Sequence, residues 1–484
     1  MKLLKKFQRT IVLLLKLCLF VSLFAIFFLI FGNQNPWLLR SSRTAAICML
    51  TFVVLGGAMT SVYGGYRIGE YKSKPIIHSL TLSAFITDII THLQLCIMNT
   101  NANNNATFRY ENPELLLLVM LLQFVVIVFF AYFGNFVFFS INSPEKCCVI
   151  TSSKYALNNI VPKIRKYKKQ YVITDMILYT DNRLFDIVNR CDTVFLYDVP
   201  MSTRTMLVEY CYAKNKNIYY NFEMCDVVSL RSRTSILDDK PLVASQIKGL
   251  TVEQSVAKRI MDLVISTVGL IVTSPLMLIC AAAIKAEDGG KVFFKQKRAT
   301  KGGKIFEVYK FRTMKEAGSV NRSVTSDDDR ITKVGKYLRK FRIDELPQII
   351  NIFKGEMSVV GPRPEMIENV DAYTKALPEF SYRLRVKAGL TGFAQIAGKY
   401  NTSPKDKLVM DLMYIEQYSI WLDIKLIFQT LTVFLKASDS TEAFKTGEEY
   451  EFFCADDSSS ETTETGIAEQ DSASNTDTNT GTRE

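Results

Sequence analysis

The sequence predicts a membrane protein: a four-helix transmembrane bundle, a small Rossmann-like α/β cytosolic domain, and a mostly helical, sheet-poor domain with a re-entrant membrane helix. Three observations carry that prediction. Four long apolar runs open the chain, short apolar runs then alternate with helical patterns, and a fifth apolar run has basic residues at both ends. The boundaries fall at 1–143 for the bundle, 144–250 for the α/β domain and 251–438 for the last domain with its re-entrant helix at 259–284. An acidic tail covers 439–484.

Bulk properties agree. The 484 residues are 48% hydrophobic and carry a net charge of +11. The tail holds 13 acidic and 2 basic residues, so the remainder is near +22. A basic, apolar body points to anionic partners such as membrane lipid, phosphates or nucleic acid. The tail's composition fits disorder. The ten cysteines show no C-x-x-C and no ligand spacing, and they read as reduced, small buried residues of a cytosolic compartment.

The four runs lie at roughly 11–32, 45–66, 76–98 and 114–140, each near the ~20 residues a bilayer helix needs. The first has basic flanks like a signal peptide, but its apolar part is too long for one, so it reads as a retained helix. Lys2, Lys5, Lys6 and Arg9 precede it, and Arg67, Lys72 and Lys74 lie between the second and third. The opposite loops are poorer in basic residues, so the N-terminus faces the cytoplasm and four spans return the chain there. The third run carries His78, Asp88 and His92, with Asp88 and His92 on one helix face. Ionisable residues at that depth are either a functional site or polar contacts between helices. These are the chain's two histidines, so the rest of the protein has none for a His-based metal site or a His triad.

In the second part, KCCVITS, YVITDMILY, DTVFLYDV and NIYYNF read as strands, with helices near 154–168, 182–190 and 202–214. That alternation predicts a mostly parallel sheet. The loop after the first strand, TSSKYALNN, has no glycine and therefore no dinucleotide fingerprint. Tyr212 and Lys216 have a Y-x-x-x-K spacing, which is weak without those glycines, and a structural or regulatory role is the better reading.

The fifth run, IMDLVISTVGLIVTSPLMLICAAA at 260–283, is long enough to span. Lys258 and Arg259 precede it, and Lys285, Lys291, Lys295, Lys297 and Arg298 follow, so both ends favour the cytoplasm. Ser274-Pro275 falls mid-run, where proline removes a hydrogen bond of the ladder. A helix bent there would enter and leave the bilayer by one face, its freed carbonyls covered by protein or by the serine hydroxyl. Asp262 is expected to pair with Arg259 at helical spacing.

Phosphate-friendly segments follow. KVFFKQKRATKGGKIFEVYKFRTM carries Arg298, Lys310 and Arg312, and TSDDDRITKVGKYLRK carries Asp327 to Asp329, Arg330 and Arg339. FRIDELPQIINIFKGEMSVVGPRP places Asp344 and Glu345 in a basic frame with Arg363 between two prolines. Each segment alone has a plain explanation as solvated surface or loop. Together they suit an anionic diphosphate substrate. The cations would neutralise phosphate oxygens. One carboxylate would stay ionised and attack phosphorus. The second would hold Mg²⁺. Pro347 would impose the local bend that two adjacent carboxylates require.

Residues from about Lys258 to Ala437 resemble the bacterial sugar transferase family, the monotopic polyprenyl-phosphate phosphoglycosyl transferases. The resemblance rests on KRIMD, Ser274-Pro275, VFFKQ, KFRTM, DDRITKVGKYLRK, DELPQIINIFKGEMSVVGPRP, GLTGFAQIAGK and LDIKLIFQT. The parts in front resemble the family's large form, which initiates exopolysaccharide, capsule or O-antigen synthesis.

The resemblance implies transfer of a sugar-1-phosphate from a UDP-sugar to undecaprenyl phosphate, at the cytoplasmic face of the bacterial inner membrane, with release of UMP. It implies Asp344 as nucleophile, Glu345 as its partner near Mg²⁺, and Arg339 and Arg363 as phosphate-binding positions. Ser274-Pro275 would be the break in the re-entrant helix. The expected partners are membrane lipid and a second copy of the chain, with no nucleic acid. The chain departs from the family pattern at Lys291, Ala388 and Phe393, read as loop or lining positions that bear on sugar or nucleotide preference. A metal-dependent glycosyltransferase using Asp327 to Asp329, or a membrane scaffold without turnover, are the competing readings.

Overall fold

The computed structural model describes residues 7–102, 108, 110–245, 249–315, 330–398 and 402–435. Asp327 to Asp329 and the tail at 439–484 lie outside the described residues. The chain forms two compact units, one of residues 144–221 and one containing residues 1–143 and 222–446.

The first four apolar runs are helices: α1 (Gln8–Gln34), α2 (Arg43–Val62), α3 (Ser73–Ala102) and α4 (Pro113–Ile141). Together with a fifth helix below, they are long and apolar enough to cross a membrane. α1 and α3 pack on α4, and α2 packs on α3. Their shared core includes Leu19, Phe27, Phe31, Leu80 and Ile127. Leu13, Leu17, Val53, Leu117 and Phe136 remain exposed, a surface suited to lipid. Asp88 and His92 are buried in this core. Gln123 Nε2 donates to Asp88 Oδ1 at 3.3 Å, and His92 packs against Phe31 and Tyr110, so both make contacts between elements.

The smaller unit holds β1 (Glu145–Thr151), α5 (Lys154–Arg165), β2 (Tyr171–Leu178), α6 (Leu184–Arg190), β3 (Thr193–Tyr197), α7 (Met201–Ala213) and β4 (Asn217–Tyr220). The sheet is parallel, in the order β2-β1-β3-β4. Strand alternation sends Cys147 and Cys148 to opposite faces, and each is buried in a separate core. Tyr212 is exposed, whereas Lys216 Nζ donates to the carbonyls of Asn189 and Cys191. Lys216 thus secures the turn before β3, which fits a structural role. Among the described residues there is no disulfide. Seven cysteines are buried, but Cys18 and Cys225 are exposed, contrary to the uniform burial expected.

The larger unit continues with α8 (Met224–Ser229), a hairpin of β5 (Arg233–Leu237) and β6 (Lys240–Ala244), and α9 (Val252–Asp288). After α9 come β7 (Phe293–Ala299), β8 (Ile305–Phe311), α10 (Lys333–Lys340), α11 (Gln348–Lys354), β9 (Ser358–Val360) and α12 (Ile367–Ala376). β10 (Gly389–Thr391), α13 (Phe393–Ala397), α14 (Pro404–Glu416) and α15 (Ile420–Leu435) complete it. β7 and β8 form an antiparallel hairpin, and β9 pairs in parallel with β10. The core gathers Phe306, Val308, Ile352, Val360, Leu412 and Leu426, and α8 contributes Val227.

α9 begins earlier than expected, capped by Thr251, and continues through Pro275 as one helix. Proline leaves the carbonyl four residues back, that of Ile271, without its usual donor. Ser274 Oγ donates to that oxygen at 2.9 Å, the cover anticipated for the serine. The expected Arg259–Asp262 pair does not form. Arg259 instead donates to the carbonyls of Ile352 and Phe353 at the end of α11, both at 2.8 Å. Asp262 is buried and accepts from Ser358 Oγ and Val359 N. Orphan carbonyls at a helix end and strand donors each offer better partners than a flexible pair on one helix.

Both ends of α9 are tied to one body. Lys258 Nζ donates to Asp423 Oδ2 of α15 at 2.6 Å, and Asp288 pairs with Arg312 after β8. Between those ties, Val268, Ile271, Val272, Leu278 and Ile279 are exposed.

Candidate active site

The acidic pair sits where two helices meet. α10 ends at Lys340, and Arg342 takes a left-handed backbone with φ 54°. Ile343–Glu345 then form one 3₁₀ turn, and Pro347 caps α11. The reversal at Arg342 and the proline bracket the turn, which supplies the bend the pair needs.

β8 supplies the opposing cation. Asn351 of α11 is fully buried; its Oδ1 accepts from Tyr309 N and its Nδ2 donates to Glu307 O. These two bonds clamp β8 against α11. The alignment places Lys310 Nζ 2.7 Å from Glu345 Oε1. Arg363 Nη2 donates to the same oxygen at 3.2 Å.

The two carboxylates are therefore unlike. Burial alone would push Glu345 up, but Arg363 and Lys310 outweigh it and hold the carboxyl at about 2. Burial, and secondarily the Glu345 charge, push Asp344 above the usual carboxylate range, against the pull of Lys310 and Arg339. Among the described residues, no side chain hydrogen-bonds or ion-pairs with the Asp344 carboxylate.

A small open pocket lies at this turn, walled by Arg298, Lys310, Glu345, Gln348, Arg363 and Leu390, among others. Three cations face one carboxylate there, so the pocket suits an anion. Asp344 is the preceding residue on the turn and is not itself a wall residue. The backbone is finely fitted at Gly389, which lines the pocket, and at Gly361 and Gly392 beside it. A Cβ on any of them would collide with backbone of the facing strand or loop, so β9 and β10 approach only because these residues lack one.

The remaining sequence candidates separate. Arg339 Nε donates to Thr313 Oγ1 at 2.9 Å, and its charge acts on Asp344. Arg312 does not join the pocket: it is buried, lies against Gly290 and pairs with Asp288. Arg330 is not among the wall residues either, and its carbonyl accepts from Lys315 N. Ser274 and Pro275 lie mid-way along α9 and are not among the wall residues. Gln348 was missed by the sequence reading. Its spacing of three residues from Glu345 and four from Asp344 was the available signal.

Among the described residues, no three acidic, histidine or cysteine side chains come together as a metal site. The pair still offers Asp344, without a side-chain partner, and the second oxygen of Glu345. That donor set fits Mg²⁺, which commonly takes one or two carboxylates and completes its shell with water and substrate phosphate.

A family model described as bacterial sugar transferase matches residues 253–437. UDP-glucose:undecaprenyl-phosphate glucose-1-phosphate transferase of Klebsiella pneumoniae is 41% identical over 212 residues, 42% of this chain and 45% of that protein. UDP-N-acetylgalactosamine-undecaprenyl-phosphate N-acetylgalactosaminephosphotransferase of Aeromonas hydrophila is 40% identical over 183 residues, 37% of this chain and 43% of that protein. Exopolysaccharide production protein ExoY of Rhizobium meliloti (strain 1021) is 37% identical over 192 residues, 36% of this chain and 84% of that protein. The chain thus spans less than half the length of the first two relatives and most of the third.

Proposed function

The chain belongs to the bacterial sugar transferase family, and from that premise we propose that it transfers a sugar-1-phosphate from a UDP-sugar to undecaprenyl phosphate. The observation that carries the reading is the split between the two carboxylates. Glu345 is held by Lys310 and Arg363, while the neighbouring Asp344 has no side-chain partner among the described residues.

In this reading the diphosphate enters the cationic pocket and is gripped by Arg298, Lys310 and Arg363. The Asp344 carboxylate attacks the phosphorus that carries the sugar. A P–O bond to the nucleotide breaks, UMP leaves with the electron pair, and an aspartyl-phosphosugar forms. A phosphate oxygen of undecaprenyl phosphate then attacks the same phosphorus and releases the Asp344 carboxylate. The products are undecaprenyl-diphosphate-sugar and UMP. The sugar's C1–O bond stays intact, so its anomeric configuration is kept. Asp344 and Glu345 would hold Mg²⁺, which supplies neutralising charge to the diphosphate when bound.

The acceptor requires a membrane setting. The lipid-suited faces of α1, α2 and α4, and the exposed apolar stretch of α9 between two ends tied to one body, support an inner-membrane protein with a re-entrant α9 and its active site on the cytoplasmic face. The test uses membranes containing the protein, Mg²⁺, undecaprenyl phosphate and a panel of UDP-sugars. UMP release with one sugar, lost in Asp344→Asn, is the expected result. Release of UDP would replace the reading with glycosyl transfer.

A further inference from the structure

The loop Gly361–Pro364 carries Arg363, and its two prolines have no N–H to donate. Apart from Gly361 N, which donates to Thr391 O at 2.8 Å, it is hung by its carbonyl oxygens. Pro362 O accepts from Gly389 N at 2.8 Å, Arg363 O from Arg383 Nη2 at 2.8 Å, and Pro364 O from Arg298 Nη1 at 3.2 Å. Arg298 faces the pocket and Gly389 is backbone. Arg383 differs, because it is 3% exposed and lies behind the loop.

The Arg383 guanidinium is itself fixed. Its Nη2 sits 2.7 Å from Asp411 Oδ2 on α14, and Asp411 is 1% exposed. Its Cζ lies over the Phe380 ring, 4.8 Å from the centroid, and Glu365 lies 4.0 Å from Nη1. A buried guanidinium in this state has little rotational freedom, and its Nη2 serves the Asp411 carboxylate and the Arg363 carbonyl together.

We propose that Arg383, oriented by Asp411, is a positioning residue that sets the height of Arg363 above Glu345 and so fixes the phosphate grip of the pocket. The assignment rests on the transfer reaction proposed above. Arg383 touches no substrate in this scheme and acts through Arg363 alone. A displacement of Arg363 by about 1 Å would cost on the order of 10²-fold in rate.

The test is a double-mutant cycle on the full-length protein in membranes, read by UMP release and by the KM for the UDP-sugar. The variants are Arg363→Ala, Arg383→Lys, Arg383→Met, and each Arg383 change combined with Arg363→Ala. Arg383→Lys keeps a cation for Asp411 but loses the guanidinium held over Phe380, and guards against a variant that fails to fold. The expected result is that each Arg383 change raises KM about 10- to 100-fold in the native background and adds less than about 3-fold when Arg363 is already alanine. Multiplying effects in the combined variants, or an unchanged KM in both Arg383 variants, would overturn the proposal and leave the reaction standing. A native protein that releases no UMP from any UDP-sugar would overturn the reaction, and this proposal with it.

Discussion

At the residue scale, the acidic pair shows how neighbours in sequence become chemically distinct. Glu345 is fixed by a lysine 35 positions upstream and an arginine 18 positions downstream. Neither distance is visible in the motif, so the pair was legible in the sequence but the cations that hold Glu345 were not. For the same reason Arg312, basic and well placed in the string, turned out to be committed to Asp288. Asp344→Asn is expected to lower UMP release by roughly 10⁴-fold or more, measured as initial rate, because in the proposed reaction it replaces the attacking carboxylate by a neutral amide while leaving the cationic pocket intact. A second expectation concerns pH. Glu345, held at about 2, stays ionised throughout any usable assay, whereas Asp344 is raised above the ordinary carboxylate range. Attack needs the ionised form, so activity should rise with pH along an acidic limb that belongs to Asp344. Lys310 holds that carboxyl down, so Lys310→Met should move the limb to higher pH. A rate–pH profile with an unmoved limb in the variant would contradict this.

At the element scale, strands and helices of the parallel sheet were readable from alternation, because a strand's period of two survives in a short run. α9 was read less well. Its apolar stretch marked the middle, but its first turn depends on the Thr251–Gln254 capping box and on buried partners far along the chain. Apolar periodicity carries no trace of such partners. Two expectations follow from the geometry. Ser274→Ala should strip the cover from the Ile271 carbonyl and destabilise the protein by about 1–3 kcal/mol, seen as a lower Tm in nanodiscs, while Ser274→Thr should retain most of it. Lys258→Met should be worse, at about 3–5 kcal/mol, because it leaves Asp423 buried without its cation. Equal Tm for Lys258→Met and native protein would show that the pair contributes nothing.

At the scale of the whole molecule, the larger unit does not begin where the sequence changes character. Residues after Asn221 pack with the C-terminal body: Val227 enters its core, and Lys405 pairs with Glu223 at 2.9 Å. A fragment starting at 222 should therefore unfold at a higher temperature than one starting at 251, and both should release UMP in vitro if the bundle is accessory. The bundle nevertheless touches this body, through Gln429 Nε2 on Val62 O and Phe428 on the Tyr63 ring. The tie between Lys258 and Asp423 reaches furthest in its effects. The two residues are 165 positions apart, and ribosomes add roughly 5–20 residues per second. The helix bearing Lys258 thus emerges about 10–30 s before its counter-charge exists. During that interval the translocation machinery meets a long apolar helix whose buried cation has no mate. We expect stalled nascent chains that end before residue 423 to show a mixture of orientations for this helix, resolved once the remaining residues are made, as glycosylation reporters on ribosome-bound chains would reveal.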